Sequence, residues 1–231
     1  MIFLPKEGAG KGERGKDDRI SIPEQVPILP LRGTVLYPEL ILPIMVGRKR
    51  SVKLIDDAME KDRIIGVVTQ KRSETEDPGE NELYRIGVAA LILRMIREMD
   101  GSQRVIVQGL SRIKIQHFMQ KDPYYVANVE TIDESSAQGV EIEALVMNVK
   151  NLFQRAVDLA PYLTNEMGQM VSNIKSPGIL ADLVASNLNI PTTEKQNILD
   201  SLEVTDRLNK VHILLNKEVQ VLELGNKIQS Q

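Results

Sequence analysis

Apolar residues between 23 and 135 come in short runs of period two, and after about Ser135 the period lengthens to about 3.6. The first half reads as strands. Val26–Leu31 and Leu40–Val46 are apolar runs broken by Pro27, Pro30, Pro38 and Pro43. Proline cannot donate to a ladder, so both are expected to be irregular or edge strands. Ser51–Lys61 follows as a helix, with Val52, Ile55 and Met59 at i, i+3 and i+7 marking its buried stripe. Ile64–Thr69 is a β-branched strand, and Lys71–Glu82 a polar loop turning at Asp77-Pro78-Gly79. Ile86–Met95 and Arg104–Val107 are strands joined through Asp100-Gly101, a pair suited to the positive φ angles of a type I′ hairpin turn. Ile113, Ile115 and the run Tyr124–Ile132 add two more. Strands around one early helix predict a small, mostly antiparallel barrel or curled sheet.

In the second half Ile142, Leu145, Val149, Leu152, Ala156 and Leu159 share one helix face. Ser176-Pro177 opens another helix, because proline is pre-set for the first helical position. Thr193 with Gln196 has the spacing of a capping box. Thr205 starts a last helix in which Leu208, Val211, Leu215, Val219 and Leu222 form a stripe. Ile228–Gln231 still reads as helix interior, so the natural chain is expected to continue beyond it. The resulting division is an arm over 1–22, a β-domain over 23–135, a helical bundle over 136–204 and a long helix over 205–231. The fold class is α+β.

Composition narrows the chemistry. The chain has no Cys, which excludes disulfides and thiolate catalysis, and only two His, His117 and His212. Net charge is −3 with no basic segment, which argues against nucleic-acid binding. No apolar run approaches the ~20 residues of a membrane helix, and a cytoplasmic location is expected. Gly10, Gly12, Gly15 and Lys16 imitate phosphate-loop spacings, but no strand delivers them and Asp17 stands where a Ser or Thr would hold Mg²⁺. Arg48, Lys49, Arg50 and Lys53 form a basic cluster that reads as solvated surface. Glu141 with Glu143 and Asp56 with Asp57 do not share a helix face, and no Ser sits in a nucleophile elbow. No catalytic or metal-ligating set emerges.

The run ILPLRGTVLYPELILPIMVGR, Ile28–Arg48, resembles the opening of the Lon protease amino-terminal domain. Tyr84–Ala89 is similar to that family's central strand and Val105–Ile115 to its Gly-Leu-x-Arg strand. Leu180–Leu188, Glu194-Lys195-Gln196, Asp206-Arg207-Leu208 and Leu222-Glu223-Leu224 resemble its helical half and connecting helix. One departure is Tyr37-Pro38-Glu39, where Phe-Pro-Gly is common, so an altered turn is expected there. The arm before Ser21 has no family counterpart.

The resemblance implies a PUA-like β-domain followed by a helical bundle. It also implies a non-catalytic region that recruits unfolded, damaged or degron-bearing proteins for quality control. In the parent enzyme, an ATP-dependent serine protease with a Ser-Lys dyad, ATP and Mg²⁺ would belong to a separate ATPase module and not to this chain. Homo-hexameric partners are implied; nucleic acid and membrane are not. Tyr37, Met95, Ile96 and Met99 are the candidate substrate contacts, chosen as aromatic or polarizable groups beside a turn. Leu208, Val211, Leu215, Val219 and Leu222 are the candidate assembly stripe, able to pair with another subunit or to pack on their own bundle. A free-standing adaptor is the alternative.

Overall fold

The computed structural model describes residues 20–134 and 137–229. The glycine motifs and most of the 1–22 arm lie outside them. The chain divides into two compact units, one ending at Ile132 and the other beginning at Asp133.

The first unit is built on β1 (Gln25–Leu31), β2 (Ile41–Val46), α1 (Lys49–Met59), β3 (Ile64–Thr69), β4 (Ile86–Arg97), β5 (Gln103–Gln120) and β6 (Val126–Thr131). The order is β2-β5-β4-β3-β1-β6, and β5 also pairs with β6, so five strands close into a barrel with β2 attached outside the ring. Only β1–β3 is parallel, because the crossover through β2 and α1 separates them. Arg104–Val107 and Ile113–Ile115 are parts of one 18-residue strand, whose first half pairs with β2 and second half with β6. All six residues of β3 are buried, as its β-branched run requires. The core is aliphatic around Val26, Ile28, Val68, Ile113 and Ala127, with Tyr125 the large aromatic in it.

Four local expectations change. β1 is interior, flanked by β3 and β6. Its prolines are tolerated because the Ile28 N–H points to β6, donating to the Tyr125 carbonyl at 2.8 Å. By two-residue alternation the Pro30 nitrogen faces that same side, past the end of β6, and the Pro27 nitrogen faces β3 just before that pairing begins. The β4–β5 hairpin is not type I′: Gly101 alone takes positive φ (+85°), Asp100 does not, and Glu98 N–H bonds the Ser102 carbonyl across a three-residue loop. In α1 the buried face is Ser51, Leu54, Ile55 and Ala58, whereas Val52 and Met59 are half-buried. At the departing tripeptide, Glu39 holds φ +61°, the left-handed conformation glycine adopts freely, so the turn keeps a glycine-like shape. The Glu39 N–H donates to the Gly109 carbonyl at 3.0 Å.

The second unit holds α2 (Val140–Leu159), α3 (Asn165–Asn173), α4 (Pro177–Asn187), α5 (Thr192–Leu199) and α6 (Val204–Gln229). Ser176 caps α4, its Oγ accepting the Ile179 N–H, and Pro177 opens the helix as the sequence predicts. Thr193 lies inside α5, whose N-cap is Pro191 with no side-chain bond, so the capping box does not form. The face of α2 is rotated: Ile142, Val149, Phe153, Ala156 and Val157 are buried, and Leu145, Leu152 and Leu159 only half-buried. Phe153, which the predicted stripe left out, is fully buried. α6 packs on α2 and α4 within this unit and is no separate division. Arg207 of α6 is fully buried, bonded to Glu134, to Asp182 at 3.5 Å and to the Ser201 carbonyl at 3.0 Å.

Candidate functional site

The first half of β5 alternates between core and exterior. Gln103, Val105 and Val107 are completely buried; Arg104 and Ile106 point the other way. Cross-strand register then fixes the rows of the outer face: Met45–Arg104–Ile96 and Pro43–Ile106–Arg94, running from β2 through β5 to β4. Met45 is 60% exposed and Ile96 40%. The register of β4 shifts between Ile92 and Arg94, and the extra residue, Leu93, is also exposed. Met99 stands at the hairpin tip with its whole side chain in solvent. The result is a ridge of two thioethers and two branched aliphatic groups on an ordered sheet, with Arg104 between Met45 and Ile96.

The hairpin is tied to α1. Asp56 accepts from Arg97 Nη2 at 2.6 Å and from Gln103 Nε2 at 2.7 Å. The basic cluster is not merely solvated. Arg48 donates to Gln70 Oε1 (2.6 Å), Arg50 contacts Asp77 (3.4 Å) and Asp122, and Lys53 bonds Asp57 (2.6 Å). The Arg48 and Arg50 bonds hold the 71–82 loop and the segment before β6 against the helix, the Lys53–Asp57 pair lies within it, and Lys49 stays exposed. Burial, and after it the charge of Arg32, lower the Arg48 pKa below its ordinary value.

The four candidate contacts separate. Ile96 and Met99 lie on the ridge. Met95 faces the opposite side beside Val105 and is half-buried. Tyr37 has no exposed surface, and its carbonyl packs against Gly109, so it is a core residue and leaves nothing for a ligand to touch. Met45 and Leu93 were missed. Period-two alternation along Leu40–Val46 already sets Pro43 and Met45 on one face, so Met45 was within reach; Leu93 depends on a bulge that the sequence does not announce. In α6, Leu208, Val211, Leu215 and Val219 are buried within their own unit, and Leu222 half-buried, so of the two readings of this stripe the structure has the self-packed one.

Among the described residues, no cluster of three metal-ligating side chains occurs, and no helix is long and apolar enough to cross a membrane. His117 contacts Asn128 Nδ2 at 3.3 Å on the β5–β6 surface, and His212 lies in α6.

Residues 25–217 match the family model described as the ATP-dependent protease La (LON) substrate-binding domain. The chain is 42% identical over 219 residues to a Lon protease of Dictyoglomus thermophilum, covering 95% of this chain and 28% of that protein. It is 40% identical over 228 residues to Lon protease 2 of Myxococcus xanthus, covering 98% of this chain and 27% of that one. It thus spans little more than a quarter of these relatives. Its fold is that of the N-terminal domain of a Mycobacterium avium complex Lon protease, with a TM-score of 0.69 at 23% identity over 83% of this chain and 98% of that one. On the extent of these matches, the chain belongs to the ATP-dependent protease La (LON) substrate-binding domain family.

Proposed function

We propose that this chain is the substrate-recognition region of an ATP-dependent Lon-type protease, and that the ridge of Met45, Leu93, Ile96 and Met99 captures unfolded segments for quality control. The observation that carries this reading is exposure of flexible apolar side chains on a sheet pinned by α1, in a chain of this family. Thioethers adapt to varied apolar sequences, and a shallow ridge binds weakly enough to release its cargo. In this reading ATP, Mg²⁺ and the serine-lysine chemistry belong to other modules of a cytoplasmic enzyme. Contacts within a homo-hexamer fall to the outer face of α6, where Ile213, Val221, Leu224 and Ile228 are exposed on one side of the helix.

Photocrosslinking to a reduced, alkylated model protein tests the ridge. The triple variant Met45→Thr, Ile96→Thr, Met99→Ser is expected to weaken capture about tenfold, roughly 1.4 kcal/mol, with the melting temperature little changed. Unaltered capture by that variant, or crosslinks confined to residues outside 23–135, rules the ridge out.

A further inference from the structure

The barrel is closed along only part of its length. β6 covers Gln25–Pro27 of β1 and Tyr125, just before it, takes the Ile28 N–H, leaving Leu29–Leu31 without a strand on that side. β2 is paired with β5 alone. Gly109 N–H donates to the Leu40 carbonyl at 2.9 Å, so by alternation Leu42, Ile44 and Val46 direct their backbone groups to β5. Ile41, Pro43 and Met45 therefore direct theirs away from it. A cleft of about 580 Å³ lies between these two strand edges, lined by Leu29, Pro30 and Leu31 on one side and Pro43–Val46 on the other. Pro30 and Pro43 remove one donor from each edge. The carbonyls remain, as do both backbone groups of Met45.

Arg32 and Arg48 close one end of the cleft, with the start of α1 and the exposed Glu76 beside them. Among the described residues, neither guanidinium has a carboxylate partner within ion-pair distance. Arg32 reaches only the Glu76 carbonyl, at 3.5 Å, and Arg48 only Gln70 Oε1 and the Thr75 carbonyl. Burial and then the charge of Arg32 lower the pKa of Arg48, while Asp77 and Glu76 act in the other direction. Two like charges at the mouth of a cleft between open strand edges complement an anion carried on an extended chain.

We infer that this cleft binds an extended peptide segment as an added strand, with an internal Asp or Glu side chain held between Arg32 and Arg48. The inference rests on the substrate-recognition reading and deepens it: the Met ridge takes apolar residues without regard to sequence, and the cleft selects acidic, strand-forming segments. Roughly 580 Å³ is within the range of ligand-sized clefts.

The test is fluorescence anisotropy on the whole chain with an acetylated, amidated decapeptide of alternating Val and Thr and one central Glu, against its Gln and Lys counterparts. The Glu peptide is expected to bind about tenfold more tightly than the Gln peptide. Arg32→Gln should abolish that preference, and Arg48→Gln likewise. Because Arg48 also anchors the 71–82 loop, the decisive variant is Arg32→Glu, at an exposed position, which should favour the Lys peptide. Peptides N-methylated at two central residues should lose binding, since strand addition needs their N–H groups. Equal affinity for Glu and Gln peptides, or indifference to Arg32→Glu, overturns the inference. So does a Gln peptide with a free carboxy terminus binding as well as the Glu peptide, which would assign the cleft to chain ends. Displacement of the peptide by equimolar single-stranded RNA would assign it to phosphate, and overturns it too. Capture of an unfolded protein by the ridge with no Glu preference in the cleft removes this inference alone; failure of both probes removes the recognition reading with it.

Discussion

The ion pairs that hold α1 in the β unit and the one centred on Arg207 in the helical unit are placed differently. In the β unit the ion pairs that hold α1 stand at the surface: in Lys53–Asp57, Arg97–Asp56 and Arg50–Asp77 every side chain is at least a quarter exposed. Arg50–Asp77 ties a loop and Arg97–Asp56 a strand to the helix, Lys53–Asp57 lies within the helix, and each contributes little because water screens it. In the helical unit Arg207 lies at the centre of the packing, 0% exposed, against Asp182 at 2%. A buried arrangement of this kind adds little net stability over an apolar core, yet it punishes removal of one partner, since the other charge stays buried alone. The sheet thus keeps these charges where they are cheap to change and sets apolar groups outside. The bundle buries one such charge at its centre, while its Arg155–Glu223 pair stays near the surface.

The largest effect expected from this contrast is at Arg207. Arg207→Met should destabilise the helical unit by about 3–5 kcal/mol, because Asp182 loses its cation and the Ser201 carbonyl its donor. Hydrogen exchange read by mass spectrometry should show the loss in α4 and α6. Adding Asp182→Leu should recover much of it. A single variant as stable as the parent would erase the distinction between the two units.

This asymmetry also explains what could be read from the sequence. The change of period near Ser135 is a local property of the side chains, and it falls three residues from the boundary after Ile132. The α6 stripe was legible at Leu208, Val211, Leu215 and Val219 because a long helix with one buried face repeats its signal many times. Ser176-Pro177 was legible because capping is decided within four residues. The failures are all matters of partnership. Nothing local says that β6 pairs no further along β1 than Pro27, that Phe153 joins the buried face of α2, or that Tyr37 is sealed against Gly109. Arg207 gave no signal either: in a stripe diagram a charged residue next to Leu208 reads as the edge of the polar face, and its burial depends on Glu134 and Asp182 arriving from elsewhere in the chain. Of the four candidate contacts only Ile96 and Met99 are exposed, since the end of a strand and a hairpin tip face solvent whatever the barrel does.

Gly109→Ala would perturb the β unit by a different route, overpacking rather than an unpaired charge. A Cβ there would sit 2.3 Å from the Tyr37 carbonyl oxygen, and backbone cannot step aside as a side chain can. A cost of about 1–3 kcal/mol is expected, seen as faster exchange in β2 and β5. Normal exchange in those strands would mean that the 37–39 turn moves freely, and with it the edge of β2 that borders the cleft.

The smallest effect is the one in which the units are most alike. Each sets a tyrosine hydroxyl on a carboxylate: Tyr124 donates to Asp57 at 2.9 Å in the β unit, and Tyr162 to Glu218 in the helical unit. Burial, then the bonded carboxylate, pushes the Tyr124 phenol up to about 12 and raises that of Tyr162 as well. An unfolded tyrosine ionises near pH 10. Below that value both states are protonated and the stabilisation is fully present; as pH rises toward 12 the unfolded state releases its proton first, so stability falls. Tyr124 is only half-buried, and solvent screening limits its share to about 1 kcal/mol. Tyr124→Phe should therefore flatten part of the decline between pH 10 and 12 in denaturant titrations and delete a late step from the ultraviolet titration. Asp57→Asn should move that step back toward pH 10, because the charge opposing ionisation is gone. If Tyr124→Phe leaves the alkaline decline untouched while Tyr162→Phe removes it, the β unit's surface bonds are weaker than their geometry suggests, and the contrast with the bundle is sharper than drawn here.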